Sequence, residues 1–365
     1  MRRVGVLLVA LAMAAPIAAG IVSAPAAGAA TVCQTTAYVT SFGGNDITPI
    51  DAPTRTPLAN IPMLEASAPV GIAITKDGAT AFVVFSGLAE VGVLDLKTGA
   101  LDPTTIAVGN SPQDAELTPD GTQVWVVNEG ANTVSTIDVA TRTKNPTDIA
   151  VGQDPTSVAF TPDGSTAFVT NFGSNSVSTI DVSTRIKNPT DIVVGTNPSG
   201  VAITPDGTTA VVANQDGPFP NPDPTKSGKV STIDVATRTK NPTDITGFEH
   251  PAGVVITQDG STAFVANWGG NYVSTIDLTT RTKNPDDITV DLHPNTLAMT
   301  PDGTFVYSAN FDGGDVSTID VATRSAGDQD VSVGTAPAGI AFTPCAATPE
   351  PPPAPPVVVT PAFTG

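Results

Sequence analysis

One short phrase returns through this chain at a nearly fixed step, and that step limits the fold more than any other feature. Thr161-Pro162-Asp163-Gly164 recurs as Thr118 to Gly121, Thr204 to Gly207 and Thr300 to Gly303, with variants beginning at Thr75 and Thr257. The leading threonines stand at 75, 118, 161, 204, 257, 300 and 343, so every step is 43 residues except one of 53. A period of this size means a solenoid, a propeller or an array, in which each unit buries its faces only against its neighbours.

Within one unit the signals are all β. Ser157 to Thr161 alternates apolar and polar, Pro162-Asp163-Gly164 is turn chemistry, and Ala167 to Thr170 is a second β-type run. Val177 to Asp181 predicts a third strand. Asp191 to Val194 predicts a fourth, beyond a loop that carries Arg185, Lys187, Asn188 and Pro189. With 33 glycines and 34 prolines, no ten-residue stretch keeps a helical period clear of both, which excludes helical repeats. Four short strands per unit is the signature of a propeller blade. The third-strand pattern occurs seven times: Ile47 to Asp51, Val91 to Asp95, Val134 to Asp138, Val177 to Asp181, Val230 to Asp234, Val273 to Asp277 and Val316 to Asp320. The expected fold is an all-β, seven-bladed propeller of four-stranded antiparallel blades. Its first blade (Ala37 to Thr40 onward) lacks an inner strand, and its last run (Ala338 to Thr343) lacks a continuation, so the two ends are expected to complete one blade and remove the open edges.

The two cysteines fit this closure. Aligned on the repeat, Cys33 and Cys345 both fall on the Asp163 column, the hairpin turn that the chain break removes, and a Cys33 to Cys345 disulfide would replace that turn covalently.

Ala167-Phe168-Val169-Thr170-Asn171, its near copy Ala37-Tyr38-Val39-Thr40 and the Val-Ser-Thr-Ile-Asp that follows resemble the YVTN-type β-propeller repeats of secreted and cell-surface proteins. The resemblance spans about residues 34 to 345 and implies the seven-bladed fold and placement outside the cytoplasm. It names no single activity. The asparagine column departs from it at Ser41 and Phe85.

Residues 1–30 read differently: Met1-Arg2-Arg3, an apolar run from Val4 to Val22, then small residues through Ala30. That is the pattern of a secretory signal peptide, with a retained anchor as the alternative. Residues 31–346 form the propeller and 347–365 a proline-rich tail. The chain has 16 Lys and Arg against 35 Asp and Glu, and removing Arg2 and Arg3 leaves the mature chain at −21. Such a charge repels phosphate backbones and anionic bilayers, so nucleic acid is excluded as a partner, and no second segment is apolar enough to span a membrane.

Sorting charges by blade connection separates two faces. Arg55, Lys97, Arg142, Lys144, Arg185, Lys187, Arg238, Lys240, Arg281, Lys283 and Arg324 belong to third-to-fourth connections, on the same face as the Thr-Pro-Asp-Gly turns. The opposite face collects Glu65, Glu90, Glu129, Asp154, Asp216, Asp223, Glu249, Asp291, Asp312 and Asp315. The only two histidines, His250 and His293, hold equivalent places on that acidic face, each before a proline, where other blades have Ser111, Asp154, Asn197 and Ala336. With Glu249 and Asp291 nearby they could hold a divalent cation or act as acid and base; they could equally be neutral structural positions. A ten-residue insertion between Asn214 and Lys229 lies in the same sector. Phe42, Phe172, Trp268 and Phe311 share one loop column, suited to stacking on a partner or to packing between blades. Asp114 and Glu116, two apart on an inner strand, point to the channel, as a cation site or as a solvated wall.

No phosphate-binding loop, H-E-x-x-H, G-x-S-x-G or C-x-x-C-H occurs. The reading is a secreted or cell-surface monomer, a non-catalytic binding module for a protein or carbohydrate of the cell envelope. Its surface is the acidic face of blades 4 to 7, with ligand-binding candidates His250, His293, Glu249, Asp291, Asp154, Trp268, Asp114 and Glu116. The alternatives are a lactonase-like hydrolase or lyase with a metal at the channel mouth and His250 or His293 in acid-base roles, and a structural envelope protein without a site.

Overall fold

The computed structural model describes residues 34–216 and 227–345; the segment expected to be a signal peptide, Cys33, most of the insertion and the proline-rich run after 345 lie outside the described residues. The chain divides into two compact units, Met1–Val32 and Cys33–Gly365, and every described residue belongs to the second. Among the described residues all elements are strands, arranged in seven antiparallel sheets.

Blade 4 shows how the repeat builds one sheet. Its inner strand Pro155–Phe160, second strand Thr166–Asn171 and third strand Ser176–Asp181 pair in order, with Val158 opposite Val169 and Phe168 opposite Thr179. The turn between the first two is held by its own side chains. Asp163 Oδ1 accepts from Thr161 Oγ1 (2.6 Å) and from the Ser165 amide (3.0 Å), and Gly164 takes φ +70°, a conformation that disfavours a Cβ. The outer strand is not the single run predicted. It is two two-residue pieces, Ile186–Lys187 and Ile192–Val193, both paired with the third strand. Between them lies Asn188-Pro189-Thr190, and a proline cannot donate to the ladder.

Numbered by their third strands, blades 2, 3, 5, 6 and 7 repeat this plan on inner strands Pro69–Ile74, Pro112–Leu117, Pro198–Ile203, Pro251–Ile256 and Pro294–Met299. Blade 1 takes its inner strand from the far end of the chain. Pro337–Phe342 pairs antiparallel with Thr36–Ser41, with Ala37 opposite Phe342 and Val39 opposite Ile340. The Thr343 amide donates to Thr36 O (2.9 Å), and the Gly339 amide donates to Thr40 Oγ1 (2.8 Å). Cys345, just beyond, is not free.

Each seam between adjacent blades holds its own apolar cluster, seven in all. Between blades 3 and 4, Trp125, Val127, Val134 and Ile149 meet Val158, Ala167, Val169 and Ile180. Burial of each large side chain contributes about 1.5–3 kcal/mol, so a blade alone, with both faces wet, is not stable. The inner strands converge so closely that one column is mostly glycine. A Cβ on Gly339 would lie 2.2 Å from Val70 O, and one on Gly253 would lie 2.6 Å from Asn295 O.

The face assignment follows directly. Turn residues Thr161 and Asp163 border a hollow with Asp206 and Arg238, so the first-to-second turns and the arginine loops share one side of the disc.

Candidate functional site

The central channel is a cavity of about 400 Å3 walled by inner strands of all seven blades, including Val70, Asp114, Glu116, Ser157, Thr296 and Gly339. Both predicted carboxylates reach it. Asp114 occupies the glycine column, where a side chain must lie against the next blade; its Oδ2 accepts from the Val158 amide (3.1 Å) and its Oδ1 from its neighbour Ala115 (2.9 Å). Burial nonetheless raises its carboxyl above the usual range, the hydrogen bonds opposing. Glu116 is open to the lumen but ringed by protein. Desolvation, then the Asp114 charge, pushes it up to about 8, so a proton resides there at neutral pH.

The histidine column has a backbone explanation that sequence reading missed. Ala68, Ser111, Asp154, Asn197, His250, His293 and Ala336 all have φ between +46° and +56°, each just before the proline that starts an inner strand. Asparagine, aspartate and histidine are enriched in that region among residues with a Cβ. In four blades the turn is latched by the blade before it: Asn45, Asn132, Asn175 and Asn271 Oδ1 accept from the amides of Ala68, Asp154, Asn197 and His293 at 2.8–2.9 Å. The two imidazoles then diverge in use. His250 is 3% exposed, its Nδ1 packs over Gly269 and its buried Nε2 has no partner, whereas His293 is partly exposed with Nδ1 2.6 Å from Asp312 Oδ2. No group of three or more candidate metal ligands among the described residues includes a histidine. Asp154 sits in its own blade, curled over Gly173, and does not join them. Glu249 lies over Gly270, beside Tyr272, with its amide donating to Asn267 Oδ1 (3.0 Å).

Around blades 6, 7 and 1 the loop column becomes a continuous arc of rings. The His293 imidazole stacks on Trp268 (centroids 5.0 Å, 14°), Trp268 meets Phe311 (5.3 Å, 48°), and Phe311 meets Phe42 (6.1 Å, 40°). Phe172 takes no part. Phe42 is 42% exposed, and Leu64, Leu88 and Leu292 on the same face are also large and exposed. Beside Phe311 a hollow of about 340 Å3 opens between Asp312, Gly313, Gly334 and Thr335.

Next to that hollow, across Gly313, lie the carboxylates of Asp291 and Asp315 and the exposed one of Asp330, with ligand atoms all within 4.8 Å of one another. Two column changes bring them together. Asp291 stands where Gly109, Gly152, Gly195 and Gly334 stand elsewhere, and Ala326 stands where four blades have a lysine. Lys144, Lys187, Lys240 and Lys283 each reach the aspartate four residues on at 2.6–2.7 Å. Asp330 has no such lysine. Burial first, then hydrogen bonding and repulsion from Asp291 and repulsion from Asp330, push Asp315 up to about 7 against a lowering contact from Asn310. Sequence reading named Asp291 and Asp315 on this face but missed Asp330; Ala326 in a lysine column was the available signal.

Solved structures with this fold are numerous, and those described next are distant in sequence. Hydrazine synthase of Kuenenia stuttgartiensis is similar at TM-score 0.70 and 22% identity, covering 79% of this chain and 92% of that one. A putative 6-phosphogluconolactonase from Bacteroides uniformis aligns at TM-score 0.68 and 16% identity over 85% and 100%. The periplasmic gluconolactonase PpgL of Pseudomonas aeruginosa aligns at 0.67 and 18% over 86% and 99%. No sequence-family model matches the chain, and no curated protein matches it either.

Proposed function

We propose that this chain is an extracytoplasmic propeller of the YVTN type that works as a non-catalytic binding module, its ligand seated on the acidic face across blades 6, 7 and 1. The observation that carries this reading is the ring arc, from Phe42 through Phe311 and Trp268 to His293, standing among exposed leucines and carboxylates on a loop face. Loops on a rigid scaffold are where recognition concentrates, and aromatic anchors with few degrees of freedom lose little entropy on contact. An oxidising exterior suits the signal-peptide pattern, the periplasmic neighbour and a Cys33 to Cys345 clasp; closing about 310 residues contributes about 5 kcal/mol in the chain-entropy model.

The lactonase-like alternative draws on the neighbours' fold, and fold alone does not carry function. Its proposed pair, His250 and His293, shares no partner: one imidazole is sealed under Gly269 and the other is held by Asp312.

Peptide and glycan arrays probed with the fluorescently labelled mature protein test the seat. Phe42→Ala with Phe311→Ala is expected to abolish the bound set while the thermal midpoint stays near that of the parent. An unchanged bound set in that double variant overturns the reading.

A further inference from the structure

The repeat itself indicates what the seat in blade 7 accepts. In blades 3, 4, 5 and 6 an ε-ammonium lies against the aspartate four residues on, and that aspartate also accepts from a third-strand serine, as Asp148 does from Ser135 Oγ (2.9 Å). The chain thus builds the same ammonium position four times and fills it from within. Blade 7 keeps the aspartate and the serine in sequence, Asp330 and Ser317, but Ser317 Oγ accepts from Asn310 and does not bond Asp330; Ala326 takes the place of the lysine and Asp291 stands where a glycine is usual. Among the described residues no lysine or arginine pairs with Asp291, Asp315 or Asp330. Arg55, from blade 1, is engaged over the Phe305 ring (4.5 Å) and beside Gly327. Three carboxylates therefore meet at a position with no cation of its own, beside the one aspartate of its column in blades 3 to 7 that lacks a lysine.

We propose that this position receives the ammonium of a lysine side chain from an extended peptide partner that lies across Phe311 and Phe42. The inference rests on the binding reading above and names the chemistry of its occupant. The geometry links the two halves of the seat. Gly313 forms part of the hollow beside Phe311, and a Cβ placed on it would lie 3.0 Å from Asp291 Oδ2 and 3.2 Å from Asp315 Oδ1, so no side chain separates hollow from carboxylates. A lysine stem covers apolar surface while its head seeks charge, which fits a ring at the rim and acids next to it. The face is complementary in sign as well, in a mature chain of −21.

Calorimetric titration of the mature protein at pH 7.5 with an N-acetylated pentalysine amide tests it. Binding is expected, with none for the same peptide acetylated on every ε-amine. Ala326→Lys, which supplies the missing lysine from within, is expected to weaken binding at least tenfold, as is Phe311→Ala, while Asp302→Asn on the opposite face leaves it unchanged. If Ala326→Lys binds as the parent does but Phe311→Ala is weakened, the seat stands and the ammonium position falls. If neither variant matters, or Asp302→Asn weakens binding equally, the attraction is bulk charge and both readings fall. No binding to the parent, or a triad that binds calcium and ignores the peptide, overturns the inference in favour of an empty or a metal-holding cluster.

Discussion

The Asp114 carboxylate accepts a hydrogen bond from the Val158 amide across the seam between blades 3 and 4. It does in one place what glycine does in the same column elsewhere: it lets two inner strands meet, here by satisfying a backbone donor rather than by vacating space. Asp114→Asn keeps an acceptor and removes a desolvated charge, so its urea midpoint is expected to equal or exceed that of the parent. Asp114→Ala leaves the amide unpaired, at a cost of about 1–3 kcal/mol. Equal midpoints for the two variants would show that the contact is incidental.

Glu116 gives the channel a pH dependence with a definite sign. Its carboxyl is raised from an ordinary 4.5 to about 8 in the folded state, so between those values the folded chain holds a proton that the unfolded chain has lost. Stability from this group is full below about pH 4.5 and declines as pH rises to about 8. Glu116→Gln is expected to flatten that part of the curve, read as the difference in urea midpoint between variant and parent at pH 5 and pH 8. A constant difference would refute it.

Gly339→Ala is expected to be among the most damaging single substitutions in the ring. The new methyl would meet Val70 O at 2.2 Å, on a strand that both closes the ring and packs against blade 2, and such strain costs more than about 2 kcal/mol. Gly43→Ala, whose nearest neighbours lie at 3.3 Å, is the control. Thermal midpoints that fall together would show that the seam can yield.

Ala326→Lys is expected to raise stability without any ligand present. The new ammonium would reach Asp330 as Lys283 reaches Asp287, and would also face Asp291 and Asp315. Because burial and two neighbouring carboxylates hold Asp315 near 7, the parent loses stability from this group as pH rises from the ordinary aspartate range to about 7. The variant should lower the Asp315 titration midpoint measured by carboxyl NMR, and an unmoved midpoint would place the lysine elsewhere.

Trp268 offers an optical reading of the arc. The chain has two tryptophans, and Trp125 is fully buried between blades 3 and 4, with its indole N–H donating to Gln123. Asp312→Asn loosens the imidazole that stacks on Trp268 and is expected to change the exposed-tryptophan component of acrylamide quenching alone. Quenching identical to the parent would mean that His293 holds its place without its carboxylate.

The architecture was legible because each blade states it independently: the Thr161-to-Gly164 turn, the Val177-to-Asp181 strand and their recurrence fix both register and number. Closure was legible from a missing column at each end. The outer strand was legible in part: Ile192–Val193 falls inside the expected Asp191 to Val194 run, whereas Ile186–Lys187, read as loop before Pro189, pairs with the third strand as well. The histidine coincidence left two readings open because a left-handed turn before proline selects the same side chains as a reactive site does. The Asp291, Asp315 and Asp330 cluster was hidden, since its members belong to three different columns and Asp330 comes near Asp315 only when Val331–Ser332 pairs with Asp315–Asp320. What betrays it is the alanine at 326.

The seam formed by Pro337–Phe342 also sets a clock. The partner strand Thr36–Ser41 is synthesised about 300 residues earlier, and at about 5–20 residues per second it waits on the order of 15–60 s with an unpaired edge. Until then every newborn copy offers that same edge to any other, so conditions that crowd unfinished chains should yield rings stitched from two molecules.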